Sequence, residues 1–112
     1  MHALQGLKVL DLTTVVSGPY AASLLADLGT DVIKVEPPDG DSARTYESIE
    51  PRHILKGVTP HILTLQRNKR AIVIKLRHDA GRETFYDLVR WADVVVDNYR
   101  PGVTERLRID YA

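Results

Sequence analysis

DLTTVVSGPYAASLLADLGTDVIKVEPP, residues 11–38, decides the fold. It reads as the end of a strand, a small-residue turn, a helix, a glycine stop, a second strand and a Pro-Pro stop. Leu7–Leu12 (LKVLDL) supplies the first strand. Ser17 is placed to cap the helix with its hydroxyl, and Pro19 is tolerated in the first turn, where amides lack intrahelical partners. Ala21, Leu24, Leu25 and Leu28 give the one-sided apolar stripe of an amphipathic helix. Gly29 suits a left-handed residue just past the helix end. Asp31–Glu36 (DVIKVE) is the second strand, and PPDGD after it reads as a turn. Such a unit sets a helix N-terminus beside the carboxyl ends of parallel strands, where α/β proteins bind phosphorylated ligands.

Outward from this unit the pattern repeats. Residues 39–66 form a long loop region with no sustained period, with one short helix expected around Arg52–Lys56. Ala71–Leu76 (AIVIKL) is a third strand. Asp79 is a first-turn acid or cap. Phe85, Leu88, Val89 and Ala92 then keep the i, i+3, i+4, i+7 spacing of a helix. Asp93–Asp97 (DVVVD) is a fourth strand, apolar on both faces as a central parallel strand would be. Asn98–Gly102 is a loop, and a further helix starts at Val103–Leu107. The order β-α-β, long loop, β-α-β implies an α/β fold of Rossmann-like units, with a mainly parallel sheet and right-handed crossovers. Two helices are few for covering both faces of four strands. Residues 1–112 are therefore expected to be an incomplete part of a larger domain.

Composition narrows the function classes. Fifteen basic and fifteen acidic side chains cancel, so no global field draws nucleic acid or an anionic membrane, and any anion site must be local. There is no cysteine, hence no disulfide, thiolate nucleophile or Cys-ligated zinc. No apolar run approaches the roughly 18 residues of a membrane span, and no signal-peptide pattern opens the chain, so the expected location is cytoplasmic, with an organelle lumen as the alternative. His2, His53, His61 and His78 show no metal-ligand spacing.

Three constellations could carry chemistry. The turn Val15-Val16-Ser17-Gly18-Pro19 could present free amides to a ligand, or be an ordinary β-α connection. A dinucleotide fingerprint would want Gly-x-Gly-x-x-Gly here and an acid ending the second strand; Glu36 is in place, but Gly18 stands alone. Arg67-Asn68-Lys69-Arg70, followed by Lys75 and Arg77, suits phosphate, although charge runs are commonly solvated turns. Asp97-Asn98-Tyr99-Arg100-Pro101-Gly102 follows a strand's carboxyl end, where ligands sit in open parallel sheets. Asn98 can donate and accept there, Tyr99 can stack, and Arg100 and Arg106 can meet phosphate. Asp11 and Glu36 end strands and could act as bases, but strand-end carboxylates more often cap the next helix. No Ser-His-Asp or paired-carboxylate set can be assigned.

LxGLKVLDLT, then SGPYAASLLADLGTDVIKVEPPDGD with Arg44 after it, then NKR, then ADVVVDNYRPGVTERL, occur in this order. Together they resemble the N-terminal part of the class III CoA-transferases (CaiB/BaiF type), the group of formyl-CoA transferase and carnitine CoA-transferase. The resemblance covers nearly the whole chain and is weakest from Glu47 to Leu63. It implies transfer of CoA between an acyl-CoA and a carboxylic acid, with CoA as substrate and no bound cofactor or metal. In the family an aspartate attacks the thioester and gives an aspartyl-CoA intermediate. That aspartate lies beyond residue 112, so no catalytic residue is expected in this chain, which alone should be inactive. By motif match, CoA binding falls to Val15 and Val16 in the turn, to Ile74, Lys75, Leu76 and Arg77 on a strand segment, and to Asn98, Tyr99 and Arg106. The family also implies interlaced homodimers. Two departures stand out: Ile74-Lys75-Leu76-Arg77 where the family often has LDLK, and Arg108 where it commonly has glycine. The related α-methylacyl-CoA racemases share much of the pattern, but Asn68 and Asn98 favour the transferases. A non-catalytic nucleotide-binding or assembly module is the reading from another class.

Overall fold

The computed structural model describes residues 1–45 and 51–111. Its elements are β1 (Lys8–Asp11), α1 (Ser17–Asp27), β2 (Asp31–Glu36), α2 (Pro60–Leu65), β3 (Lys69–Val73), α3 (Asp79–Trp91), β4 (Val94–Val96) and α4 (Val103–Leu107). Two short 3-10 turns, Ser42–Thr45 and Pro51–His53, lie between β2 and α2. The four strands form one sheet in the order β3-β2-β1-β4, and every pairing is parallel. The Rossmann-like α/β expectation therefore holds. The order reverses between β1 and β4, because one crossover runs outward to β2 and the other returns across β1.

Register sorts the strand residues onto two faces. Val9 pairs with Val32, Leu10 with Ile33 and Asp11 with Lys34. Leu10, Leu12, Ile33 and Val35 gather with Ile74 and with Phe85 of α3 in the larger core. Val9 and Val32 pack with Ala26 of α1 on the opposite face. Each face thus has one helix. Burying a side chain such as Phe85 contributes about 1.5–3 kcal/mol.

That second face also buries charge. Asp11 and Lys34 are 0% and 2% exposed. The Asp11 carboxylate takes ion pairs from Lys34 at 3.6 Å and from Lys69 at 2.7 Å. Lys34 also reaches Asp41 at 3.2 Å and donates to the Thr13 carbonyl. Asp11 accepts from the Thr13 amide at 2.9 Å and from its hydroxyl. The strand-end carboxylate read as a candidate base is thus a buried structural anchor, with three hydrogen-bond donors and a second ammonium group on it.

Several expectations need correction. Of the apolar stripe of α1 only Leu25 packs against the core: Ala21, Leu24 and Leu28 are exposed, while Pro19, Ala22, Ser23 and Ala26 are buried. Small side chains let the helix lie close to the sheet, and the Ser23 hydroxyl reaches the Leu65 carbonyl at 2.6 Å. Ser17 makes no cap; it is the first helical residue, after Val16. The third strand starts at Lys69 and ends at Val73. Ile74–Arg77 therefore belongs to the turn before α3, since the Ile74 amide makes one last bond to the Glu36 carbonyl at 2.9 Å. β4 is an edge strand, not a central one, and Val94 and Val95 are 44% and 42% exposed. A both-sides-apolar composition signals burial but cannot say which strand lies alongside. The helix expected at Arg52–Lys56 is only the turn Pro51–His53. A real helix, α2, follows Thr59-Pro60, with the Thr59 hydroxyl accepting from the Ile62 amide at 3.4 Å. Residues 46–50 of the expected loop lie outside the described residues.

The α1 end is as expected. Gly29 has φ +100°, and the amides of Gly29 and Thr30 bond back to Ala26 and Leu25. Arg108, at the end of α4, takes the left-handed conformation with φ 56° that a glycine would adopt without strain. Its carbonyl accepts from the Tyr86 hydroxyl at 2.6 Å. The helix end questioned on sequence is therefore formed, with a non-glycine residue bearing it.

Candidate functional site

A cleft of about 980 Å³ opens over the carboxyl ends of the strands. Leu12 and Thr14 enter it after β1, and Glu36 to Asp39 after β2. Ile74, Lys75, Leu76 and Arg77 enter after β3, Tyr99 after β4, and Val103, Arg106 and Leu107 from α4. This is the edge of an open parallel sheet where ligands are held, beside the point where strand order reverses.

The sequence-assigned residues fall into two groups. Ile74, Lys75, Leu76, Arg77, Tyr99 and Arg106 share the cleft. Val15, Val16 and Asn98 do not line it. Asn98 spends its amide group on Thr14: its Oδ1 accepts from the Thr14 amide at 2.9 Å, and its Nδ2 donates to the Thr14 carbonyl at 2.8 Å. Asn98 is a clip that imitates a strand neighbour and fastens the β1 turn to the β4 turn. Val15, next to Thr14, has φ 70°, an uncommon conformation for a β-branched residue. Val15 and Val16 are half-exposed beside the cleft.

Ile74 to Arg77 are held from α3. Arg82 donates to the carbonyls of Leu76 and Arg77, each at 3.2 Å, and pairs with Asp79. Gly81 has no space for a side chain, because a Cβ there would overlap the Lys75 carbonyl. The helix start is pressed against the turn that carries the cations.

The charges divide between structure and cleft. Among the described residues, the side chains of Lys75, Arg77 and Arg106 make no ion pair or hydrogen bond. The other basic cluster, residues 67–70, is consumed by the fold. Arg67 and Asn68 bind Asp27, Lys69 binds Asp11, and Arg70 binds Asp31. Its phosphate reading does not survive, since these groups already have partners. Burial pushes Lys69 below its ordinary range, opposed by the Asp11 ion pair. Burial also raises the Tyr99 phenol, helped by the nearby Asp97, so it stays protonated and can donate. Glu36 is held below its ordinary range, chiefly by Arg44. Asp39 places one exposed carboxylate on the cleft rim.

Sequence reasoning missed Thr14, the 37–41 turn, Arg82, Val103 and Leu107 as lining. The strand-end rule could have found Thr14 and the 37–41 turn. Nothing in the sequence marks Arg82, whose role depends on how far α3 leans over the turn. Among the described residues, no cluster of three or more His, Asp or Glu side chains could hold a metal, and no helix is long and apolar enough to cross a membrane.

Comparison with known proteins bears on this cleft. The family model described as CoA-transferase family III matches residues 4–112. A succinyl-CoA:mesaconate CoA-transferase of Haloarcula marismortui is 41% identical over 111 residues, covering 99% of this chain and 28% of that protein. An acetyl-CoA:oxalate CoA-transferase of Acetobacter aceti is 41% identical over 107 residues, covering 95% of this chain and 26% of that protein. The crystal structure of a CAIB/BAIF family protein from Brucella suis superposes with a TM-score of 0.88 at 39% identity, covering 98% of this chain and 29% of that one. The chain thus spans under a third of the length of these relatives.

Proposed function

Because the chain belongs to CoA-transferase family III, we propose that it forms the CoA-binding N-terminal portion of an enzyme that moves CoA between an acyl-CoA and a carboxylic acid. The observation that carries this reading is the convergence of Lys75, Arg77 and Arg106, all without internal partners, with Tyr99 in one cleft at the strand ends. Three free cations suit the phosphates of CoA, and guanidinium groups bind them in a planar, bidentate way. The protonated Tyr99 can stack or donate. The apolar wall of Leu12, Ile74 and Leu76 suits a ligand that is not wholly polar.

The transfer proceeds through an aspartyl-CoA thioester on a carboxylate that this chain does not supply. The buried aspartates support that view, because Asp11 and Asp41 are fixed by ion pairs to Lys34 and Lys69. The rest of the enzyme and a second subunit cover what stays bare here. Tyr20, Leu24 and Leu28, spaced by four on the outer side of α1, and the valines of β4 support that assembly.

Equilibrium dialysis of CoA against the chain and its variants tests the site. Lys75→Ala and Arg77→Ala should each weaken CoA by roughly three- to tenfold. Arg70→Ala, which removes a charge paired to Asp31 at the far end of the sheet, should change affinity little. Equal effects from all three changes would remove the cleft as the site.

A further inference from the structure

We propose that the Glu36–Arg44 ion pair is a specificity device: it withholds the strand-end carboxylate from ribose hydroxyls, so the cleft rejects nucleotides whose adenosine ribose carries a free diol. This rests on the CoA reading above and extends it to the ribose end of the ligand.

Glu36 is the last residue of β2 and lines the cleft. An acid at this place in dinucleotide-binding folds accepts the ribose hydroxyls, and a neighbouring arginine instead accommodates a phosphorylated ribose. Here the acid is already occupied. Arg44 donates from Nε to Oε2 at 2.8 Å and from Nη2 to Oε1 at 2.7 Å. The Asp41 amide adds a third bond to Oε2 at 3.2 Å. With about four acceptor sites on a carboxylate, one on Oε1 remains, too few for a two-hydroxyl grip.

The pair is built, not incidental. Gly40, at φ +82°, turns the chain back, and a Cβ there would crowd the Arg44 side chain. Asp41 then organises the next turn, accepting from the Ala43 amide at 2.8 Å through its carboxylate and from the Arg44 amide at 2.9 Å through its carbonyl. Lys34 anchors Asp41 from below at 3.2 Å. Thr59, ahead of α2, holds the Ala43 carbonyl at 2.6 Å. Contacts within the turn, from β2 and from the start of α2 therefore set Arg44 against Glu36.

Placement favours a phosphomonoester on the ribose. Glu36 pairs with Val73 in the sheet register, so Lys75 and Arg77 leave β3 just past it. A neutralised carboxylate beside two free cations attracts a dianion, whereas a free carboxylate would repel one.

Calorimetric titrations with CoA, 3′-dephospho-CoA and NAD test the proposal on the wild-type chain, Arg44→Leu and the double variant Glu36→Gln/Arg44→Leu. The wild type should bind CoA at least about tenfold tighter than dephospho-CoA and show no saturable NAD binding. Arg44→Leu, which frees the Glu36 charge, should weaken CoA roughly tenfold and leave dephospho-CoA unchanged or tighter, so the preference collapses. The double variant, without that charge, should regain most of the CoA affinity. Equal losses of CoA and dephospho-CoA in Arg44→Leu, or no recovery in the double variant, would overturn the specificity role while the CoA reading stands. A wild-type chain that binds neither CoA form would overturn both.

Discussion

At the scale of single residues, the decisive feature is a set of charges buried under α1. Lys34 satisfies two carboxylates at once, Asp11 and Asp41, and so joins β1, β2 and the turn that carries Arg44. A buried charge is costly unless paired, so removing one partner is worse than never having the pair. Lys34→Met should destabilise the chain by about 3–5 kcal/mol, read as a lowered midpoint in urea. A change within about 0.5 kcal/mol would mean that water reaches these carboxylates and the network carries little. Such roles are hard to read from sequence. DVIKVE alternates as a strand whichever face is wet, and only the register shows that Lys34 points at Asp11 and not at solvent. The same limit hid the fate of residues 67–70, whose partners Asp27, Asp31 and Asp11 lie 39 to 58 positions away.

At the scale of elements, turns supply most of the cleft's lining. Asn98 fastens the turn after β1 to the turn after β4, and so fixes Thr14 and Tyr99, which both line the cleft. Asn98→Asp removes the donor and sets a negative charge on the Thr14 carbonyl. It should weaken CoA roughly tenfold at pH 7. Lowering the pH toward the carboxyl's own range should recover part of the loss, because a protonated carboxyl again has a donor. No recovery at lower pH would mean that the donor to the Thr14 carbonyl is not what holds the cleft. Strand and helix order were legible because glycine, proline and the two periods mark them. The packing face of α1 was not legible, since its apolar stripe and its small-residue face are both plausible contacts. The helix α2 was legible in principle, as threonine before proline is a helix-start signature.

At the scale of the whole molecule, the sheet has a buried centre and two open edges. β1 and β2 are buried, whereas β3 and β4 end the sheet on either side, Val73 being 60% exposed and the valines of β4 half-exposed. An apolar edge strand invites another chain. That openness agrees with a chain spanning under a third of its relatives, and it was the part of the architecture the sequence had already suggested through too few helices. The purified chain should therefore show no acyl-CoA-dependent turnover with carboxylic acid acceptors in a thioester-exchange assay. Sustained turnover would mean that a carboxylate within these residues is the nucleophile.

The central claim, that the cleft over the strand ends is a CoA site and not a dinucleotide site, is tested most directly by isothermal titration calorimetry of the 112-residue chain with CoA and, separately, with NAD. The expected result is saturable heat with CoA at a stoichiometry near one, and none with NAD over the same concentrations. Saturable heat with NAD and none with CoA would contradict it.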